Sequence, residues 1–254
     1  MIFVSFFLSG CRNRLEEKGF AVAPSERSST DDDDQVDHGI ARDSLTFPTR
    51  PGNVFLTGHP QIRIATIFKV NFNRDSSSFI GDYNYNYNDT WMGTSEGNQW
   101  NSHLFPGFEA LYGYNLVNVA HYDTKTQERK SFFARPVLIK TVYWPSFSKD
   151  TLNNVPVHRN YFMISAYDED TNKDGFINLK DLRRLYYFDM NAENKRNLVP
   201  ANYSVYKAEY DPDNDYIYVF ARLDEDKNGR VDANEVDHIF WIDLKNPSIT
   251  GRQY

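Results

Sequence analysis

Two twelve-residue segments in the last third of the chain carry side-chain oxygens at the spacing of a calcium-binding loop: loop 1 at residues 170–181 and loop 2 at residues 224–235. In both loops acidic or amide side chains occupy positions 1, 3, 5, 9 and 12, and a glycine occupies position 6. Calcium takes about six to eight oxygen ligands, which positions 1, 3, 5, 9 and 12 and the carbonyl of position 7 supply. The predicted ligands are Asp170, Asn172, Asp174, Phe176, Asn178 and Asp181 in loop 1, and Asp224, Asp226, Asn228, Arg230, Asp232 and Glu235 in loop 2. The sequence therefore predicts two Ca²⁺ sites.

The two loops differ in charge and in the length of the last acidic side chain. Loop 2 has five acidic residues against Lys227 and Arg230, a formal charge of −3, and ends in Glu235, which can bind an ion through both carboxylate oxygens. Loop 1 has three acidic residues against two lysines, a formal charge of −1, and ends in the shorter Asp181. We expect the 224–235 site to bind calcium more tightly. The alternative is a pair of Asp/Asn/Gly-rich turns that bind nothing, although a plain turn does not require an acid at position 12.

The segments that flank the loops do not follow the pattern of an amphipathic helix. Residues 161–167 and 216–221 enter the two loops as short runs of aromatic and β-branched residues, which is typical of buried strands. On the outgoing side the spacing allows one short helical turn before the chain becomes extended again at residues 186–189 and 240–243. Each unit is thus predicted as strand, metal loop, short helical turn and strand.

The two units are copies of each other, because Asp170 and Asp224 lie 54 residues apart and the same offset pairs Asp189 with Asp243. A third exit strand that ends on an acid occurs at residues 119–123. The loops resemble EF-hand loops, and residues 137–254 resemble bacterial lipoproteins with TolB-like β-propeller repeats whose blades carry such loops. The resemblance implies an all-β fold of β-propeller-like repeats. The chain has room for about four blades, fewer than propellers commonly have, so we expect either a small or irregular propeller or an incomplete one. It also implies bound calcium, an envelope location and a binding role.

The N-terminal segment predicts a lipid anchor. Cys11 follows Leu8-Ser9-Gly10 and the apolar run at residues 2–8, the order of a lipoprotein signal peptide and its lipidation site. The domains are therefore predicted as a signal peptide at residues 1–11, a flexible acidic linker at 12–50 and a β-propeller-like domain at 51–254. Because Arg12 follows the cysteine, we expect an outer-membrane lipoprotein of the bacterial envelope that faces the periplasm or the cell surface.

Composition and motifs limit the classes of function. The net charge of −7 gives no basic surface field for nucleic acid, so that partner class is excluded. No catalytic constellation is identifiable, and we expect a non-catalytic binding or scaffolding protein whose partners are calcium, the membrane through its anchor, and a protein or glycan. The alternative is a glycan-binding or carbohydrate-active protein on a propeller scaffold. It depends on the Tyr/Asn alternation of residues 83–88, which would place three tyrosines on one face of a strand.

Overall fold

The computed structural model describes residues 13–22, 47–72, 78–80, 82–85, 99–100, 105–232 and 234–254. The first part of the chain contains helix α1 (Asn13–Lys18) and strands β1 (Phe20–Ala21), β2 (Thr49–Leu56), β3 (Ile62–Phe72), β4 (Ser78–Ile80), β5 (Asp82–Tyr85) and β6 (Gln99–Trp100). The middle part contains β7 (Phe108–Asp123), β8 (Arg129–Ser131), β9 (Leu138–Pro145), β10 (Thr151–Leu152), β11 (Val155–Pro156), β12 (Tyr161–Tyr167) and β13 (Phe176–Ile177). The last part contains β14 (Arg184–Asp189), β15 (Arg196–Asn197), β16 (Tyr203–Asp211), β17 (Tyr216–Leu223), β18 (Asp237–Asp243) and β19 (Thr250–Arg252). Among all the described residues, no helix has the length and apolar character needed to cross a membrane.

Three four-stranded antiparallel meanders contain most of the described strands. The first consists of β2, β3, β7 and β8, the second of β9, β12, β14 and β15, and the third of β16, β17, β18 and β19. The strands form because apolar residues alternate along them. In β3, for example, buried and half-buried residues alternate from Ile62 to Val70, the period of a strand with one face on a core.

The first and second meanders, together with β4 and β5, form one ten-stranded sheet because β7 is long enough to pair with strands of both meanders. Residues 116–123 of β7 pair with β3, and residues 108–116 pair with β9. The third meander forms a five-stranded sheet with β6, which runs parallel to β16. Within the described residues neither sheet closes on itself. The all-β class is therefore confirmed, whereas the propeller stays a prediction.

Strand β12, which leads into loop 1, is buried on both faces because it lies between two hydrophobic cores. Met163 packs in a core shared with Ile217 and the rest of the third meander. Phe162 points to the opposite face and packs with Phe132 in a core shared with the first meander. Burial on both faces explains why the sequence here is a continuous apolar run, and it anchors the strand that leads into loop 1.

A buried ion pair ties the second meander to the third. Arg159, just before β12, donates to both carboxylate oxygens of Asp215 at 2.9 and 2.7 Å and to the carbonyl of Leu244 at 2.8 Å. Both charged side chains are almost inaccessible to water. Such a pair is worth little for net stability, but it fixes the geometry between the elements that carry its two partners.

The three exit strands identified in the sequence end in equivalent turns. Asp123 accepts a hydrogen bond from the amide of Lys125 at 2.7 Å, and Asp189 accepts one from the amide of Asn191 at 2.9 Å. The carboxylate of Asp243 is bonded in the same way to the amide two residues further on, at 2.8 Å. A side-chain carboxylate that caps its own turn explains why an acid ends each of these strands.

Two local predictions are corrected by the structure. The short helical turn after each loop does not form in the described residues, because β14 and β18 begin within a few residues of the loops and their backbone groups pair with β12 and β17. The flexible linker predicted for residues 12–50 is wrong for residues 13–22, which form α1 and β1, and for residues 49–50, which belong to β2. Cys11 and the acidic run Asp31–Asp34 lie outside the described residues.

Candidate metal centre

Loops 1 and 2 occupy the same place in successive meanders. Loop 1 joins β12 to β14 and contains β13, and loop 2 joins β17 to β18. An ion pair closes the base of each loop: Arg184 with Asp168 at 2.9 Å below loop 1, and Arg222 with Asp237 at 2.9 Å below loop 2. Both loops therefore replace a hairpin turn between paired strands, as the sequence predicted.

The backbone of the two loops follows the same path. Position 4 is left-handed in both, with φ of 59° at Lys173 and 60° at Lys227. The glycine at position 6 is also left-handed, with φ of 87° at Gly175 and 74° at Gly229. Glycine adopts this conformation without the steric cost of a Cβ atom, so the two glycines permit the sharp turn around a common centre.

The side chains at position 1 hold the turn through the same hydrogen bond. The amide of Gly175 donates to Asp170 Oδ2 at 2.8 Å, and the amide of Gly229 donates to Asp224 Oδ2 at 3.1 Å. The oxygens of positions 3 and 5 likewise accept from the amides of positions 5 and 7 in both loops, at 2.7–3.1 Å. These bonds hold the oxygen-bearing side chains against the backbone of their own loop.

The acid at position 12 closes both loops. Asp181 accepts from the amides of Thr171 and Asn178 at 2.8 and 2.9 Å, and Glu235 accepts from the equivalent amides of Glu225 and Asp232 at 3.1 and 2.8 Å. The position-12 acid thus joins the first part of each loop to its last turn. This explains why both copies need an acid where a plain turn does not.

In loop 2 three carboxylates converge. Asp224, Asp226 and Glu235 each place an oxygen so that all three lie within 4.8 Å of one another. Calcium–oxygen distances are about 2.3–2.6 Å, so ligands around one ion lie up to about 5 Å apart. Asp224 is only 7% exposed, and its Oδ1 is buried without a hydrogen-bond partner. A buried anionic oxygen is costly without a partner, and an ion at this centre would supply one.

Loop 1 has no such cluster of three carboxylates in the described structure; its carboxylates stand at positions 1, 5 and 12, and position 3 is the amide Asn172. Its position-12 acid is also the more buried one, since Asp181 is 1% exposed. Burial raises the pKa of Asp181, although the amides of Asn178, Asn172 and Thr171 oppose that shift. The weaker calcium binding expected for loop 1 stays a prediction.

The acid just before loop 1 is held in its ionised form. Burial alone would raise the pKa of Asp168, but the hydroxyl of Tyr186 and the charges of Lys195 and Arg184 outweigh that effect and lower it. The cations around Asp168 lie in the wall of an open groove of about 310 Å³ beside loop 1. Asp168 is therefore engaged in holding the strands together and is not a candidate ligand.

The two loops touch each other, which the sequence did not indicate. Thr171, at position 2 of loop 1, donates from Oγ1 to the carbonyl of Gly229 in loop 2 at 2.6 Å. A Cβ atom on Gly229 would lie 1.9 Å from the carbonyl oxygen of Thr171. Thr171 Oγ1 also accepts the amide of Leu182 at 2.8 Å. The only sequence signal available was the small, hydrogen-bonding residue at position 2 of loop 1, where loop 2 has Glu225.

The remaining predicted positions lie where the sequence placed them along the loops. Position 7 of loop 1 is Phe176, which lies in β13, and position 7 of loop 2 is the exposed Arg230. Position 9 of loop 1 is Asn178, which is buried and accepts a hydrogen bond from the amide of Lys180. Position 9 of loop 2 is Asp232, which is exposed. Of the Tyr/Asn alternation at residues 83–88, residues 83–85 lie in β5, and the others lie outside the described residues.

Comparison with known proteins gives no family for this chain. No protein-family model matches it, and no curated protein matches its sequence. The geometry of the two loops is therefore what points to a function.

Proposed function

We propose that the chain is a calcium-binding protein that holds one ion in each loop, with the tighter site in loop 2. The observation that carries this proposal is the buried, unpartnered Oδ1 of Asp224 among the carboxylates of Asp226 and Glu235. A hard divalent cation matches an all-oxygen site of this kind. Loop 1 is included because its backbone and its closing hydrogen bonds repeat those of loop 2.

The metal has a structural role in this proposal. Each loop joins two paired strands, and strands rather than helices flank it in the described residues. The helix pair that opens in a calcium sensor is thus not what these loops connect. For sites of this kind outside the cytosol we expect dissociation constants of about 10⁻⁴–10⁻³ M.

The wider role that we propose is a non-catalytic binding or scaffolding one on the bacterial envelope. Three consecutive meanders, each closed by an aspartate-capped turn, support a propeller-like arrangement of the TolB-like type. The apolar run at residues 2–8 and the order Leu8-Ser9-Gly10-Cys11 support attachment through a lipid to the outer membrane. The partner would be a protein or a glycan bound by the β-domain.

Thermal unfolding in 10 mM calcium or in EGTA tests the metal claim. This calcium concentration is about 100 times the lower dissociation constant expected, and at that ratio one site adds about 2.7 kcal/mol to the free energy of unfolding. The midpoint should then rise by roughly 5–10 °C for loop 2. The Asp224→Ala variant should lose most of this rise.

Asp189→Ala is the matched control for this experiment. It removes an acid that caps a turn outside both loops, so it should lower the midpoint in both solutions and keep the calcium-dependent rise. An equal midpoint in calcium and EGTA for the unsubstituted chain would end the proposal.

A further inference from the structure

The N-terminal segment, residues 13–22, is attached to loop 1. Strand β1 pairs with β13 and places Phe20 opposite Ile177. The amide of Val22 donates to the carbonyl of Gly175 at 3.0 Å. Gly175 is position 6 of loop 1, and the two residues of strand β13 are positions 7 and 8. The segment thus holds the stretch of the loop whose position-7 carbonyl would bind the ion.

The attachment fits its partners closely. Gly19 is left-handed, with φ of 59°, and a Cβ atom there would lie 1.8 Å from the carbonyl oxygen of Ile177. Glu16 is 2% exposed, forms an ion pair with Lys140 and accepts the amide of Asn115 at 2.9 Å. Lys140 lies in β9 and Asn115 in β7, both strands of the ten-stranded sheet. The segment is therefore held at two points, on the sheet and on loop 1.

Phe20 adds an apolar contact to this attachment. Its side chain is buried in a small core with Ile177, Val117 and Leu138. Ile177 is position 8 of loop 1, the aliphatic position of the loop. A shift of β13 on loss of an ion would therefore disturb this core as well as the strand pairing.

We propose that docking of residues 13–22 and calcium binding in loop 1 are linked, so that each strengthens the other. This inference rests on the proposed function. Docking fixes β13 in the position from which the carbonyl of Phe176 can reach an ion, and a bound ion fixes the same strand for docking. Such a coupling is reciprocal by thermodynamic necessity, so both effects have the same magnitude.

The linkage would make the N-terminal attachment depend on calcium. Cys11 lies two residues before α1. Release of residues 13–22 on loss of calcium would lengthen the stretch of chain between Cys11 and the β-domain.

Hydrogen exchange of the full chain, measured by mass spectrometry in calcium and in EGTA, tests the linkage. In the unsubstituted chain calcium should slow exchange of the Val22 amide about tenfold, a typical coupling between two sites. The Asp170→Ala variant should lose this effect. The matched variant Asp224→Ala, which removes position 1 of loop 2, should keep it at saturating calcium.

The reciprocal measurement uses variants that weaken docking without touching a predicted ligand. Glu16→Gln removes the charge that pairs with Lys140, and Gly19→Ala introduces the clash with Ile177. Calcium titration should show weaker binding in loop 1, about tenfold, and unchanged binding in loop 2.

The two ways of failing are distinguishable. If calcium slows exchange within the loops but leaves the Val22 amide unchanged, or slows it equally in Asp170→Ala, the linkage is overturned and the calcium sites stand. If calcium changes exchange in neither loop, the proposed function fails and the linkage fails with it.

Discussion

At the scale of single residues, the two oxygens of Asp224 have different surroundings. Oδ2 accepts the amide of Gly229 at 3.1 Å, whereas Oδ1 is buried and has no hydrogen-bond partner in the described structure. In loop 1 both oxygens of Asp170 are bonded, Oδ1 to the amide of Asp174 at 3.0 Å and Oδ2 to that of Gly175 at 2.8 Å. Substitution by asparagine should therefore have opposite effects at these two equivalent positions.

We expect Asp224→Asn to be more stable than the unsubstituted chain in EGTA and less stable in calcium. In EGTA the new amide can donate to the neighbouring carboxylates of Asp226 and Glu235, which removes an unsatisfied buried group worth about 1–3 kcal/mol. In calcium the variant has lost a ligand. Urea unfolding in the two solutions measures both differences.

Asp170→Asn is the control for this prediction. The substitution replaces one of the two carboxylate oxygens of Asp170, both of which accept backbone amides, by an NH2 group that cannot accept. The variant should therefore be less stable than the unsubstituted chain in EGTA as well. If Asp224→Asn is also destabilised in EGTA, Oδ1 of Asp224 does not carry an unsatisfied charge, and the argument for an ion there loses its basis.

The sequence predicts which residues could form the site, but not their hydrogen bonding, burial or pKa. The spacing predicted Asp224, Asp226 and Glu235 as ligands, and the structure places a carboxylate oxygen of each within 4.8 Å of the others. The unpartnered oxygen of Asp224 could not be predicted, because it depends on how the loop packs. The raised pKa of Asp181 depends on burial in the same way.

At the scale of elements, loops 1 and 2 form one unit through the contact between Thr171 and Gly229. The glycines at position 6 are in different surroundings, although both are left-handed. A Cβ atom on Gly229 would meet the backbone of Thr171 at 1.9 Å, whereas one on Gly175 would meet nothing within 4 Å. The two positions therefore allow backbone strain to be separated from loss of the contact.

We expect Gly229→Ala to weaken calcium binding in both loops and Gly175→Ala to weaken it in loop 1 only. Both substitutions place a side chain at a positive φ, which costs about 1–2 kcal/mol. Only the first also drives the loops apart. Calcium titration of the two variants measures the affinities, and weakening confined to loop 2 in Gly229→Ala would show that the contact does not couple the loops.

The sequence predicts the strands around the loops well and their ends less well. Strand β12 coincides with the predicted residues 161–167, because a continuous apolar run is distinctive of a strand buried on both faces. The helical turn after each loop was wrong because the spacing of apolar residues in so short a segment fits a turn and a strand equally. The docking of residues 13–22 depends on distant partners such as Lys140, which no local pattern reveals.

At the scale of the whole molecule, the repeat in the sequence corresponds to the second and third meanders, and its faint third copy is the end of β7. The short aromatic and β-branched runs predicted the individual strands, and the resemblance implied the all-β class. The joining of two meanders by β7 could not be predicted, because pairing between β7 and β9 is set by long-range register. The buried pair Arg159–Asp215 likewise joins elements that are 56 residues apart.

The account as a whole requires that the intact molecule bind two calcium ions with unequal affinity. Isothermal titration of the chain with calcium tests this most directly, because it gives stoichiometry and affinity in one measurement. We predict two sites in the unsubstituted chain, with the tighter one absent in Asp224→Ala and the weaker one absent in Asp170→Ala. The absence of saturable calcium binding up to about 10 mM, ten times the weakest dissociation constant expected, would contradict the account.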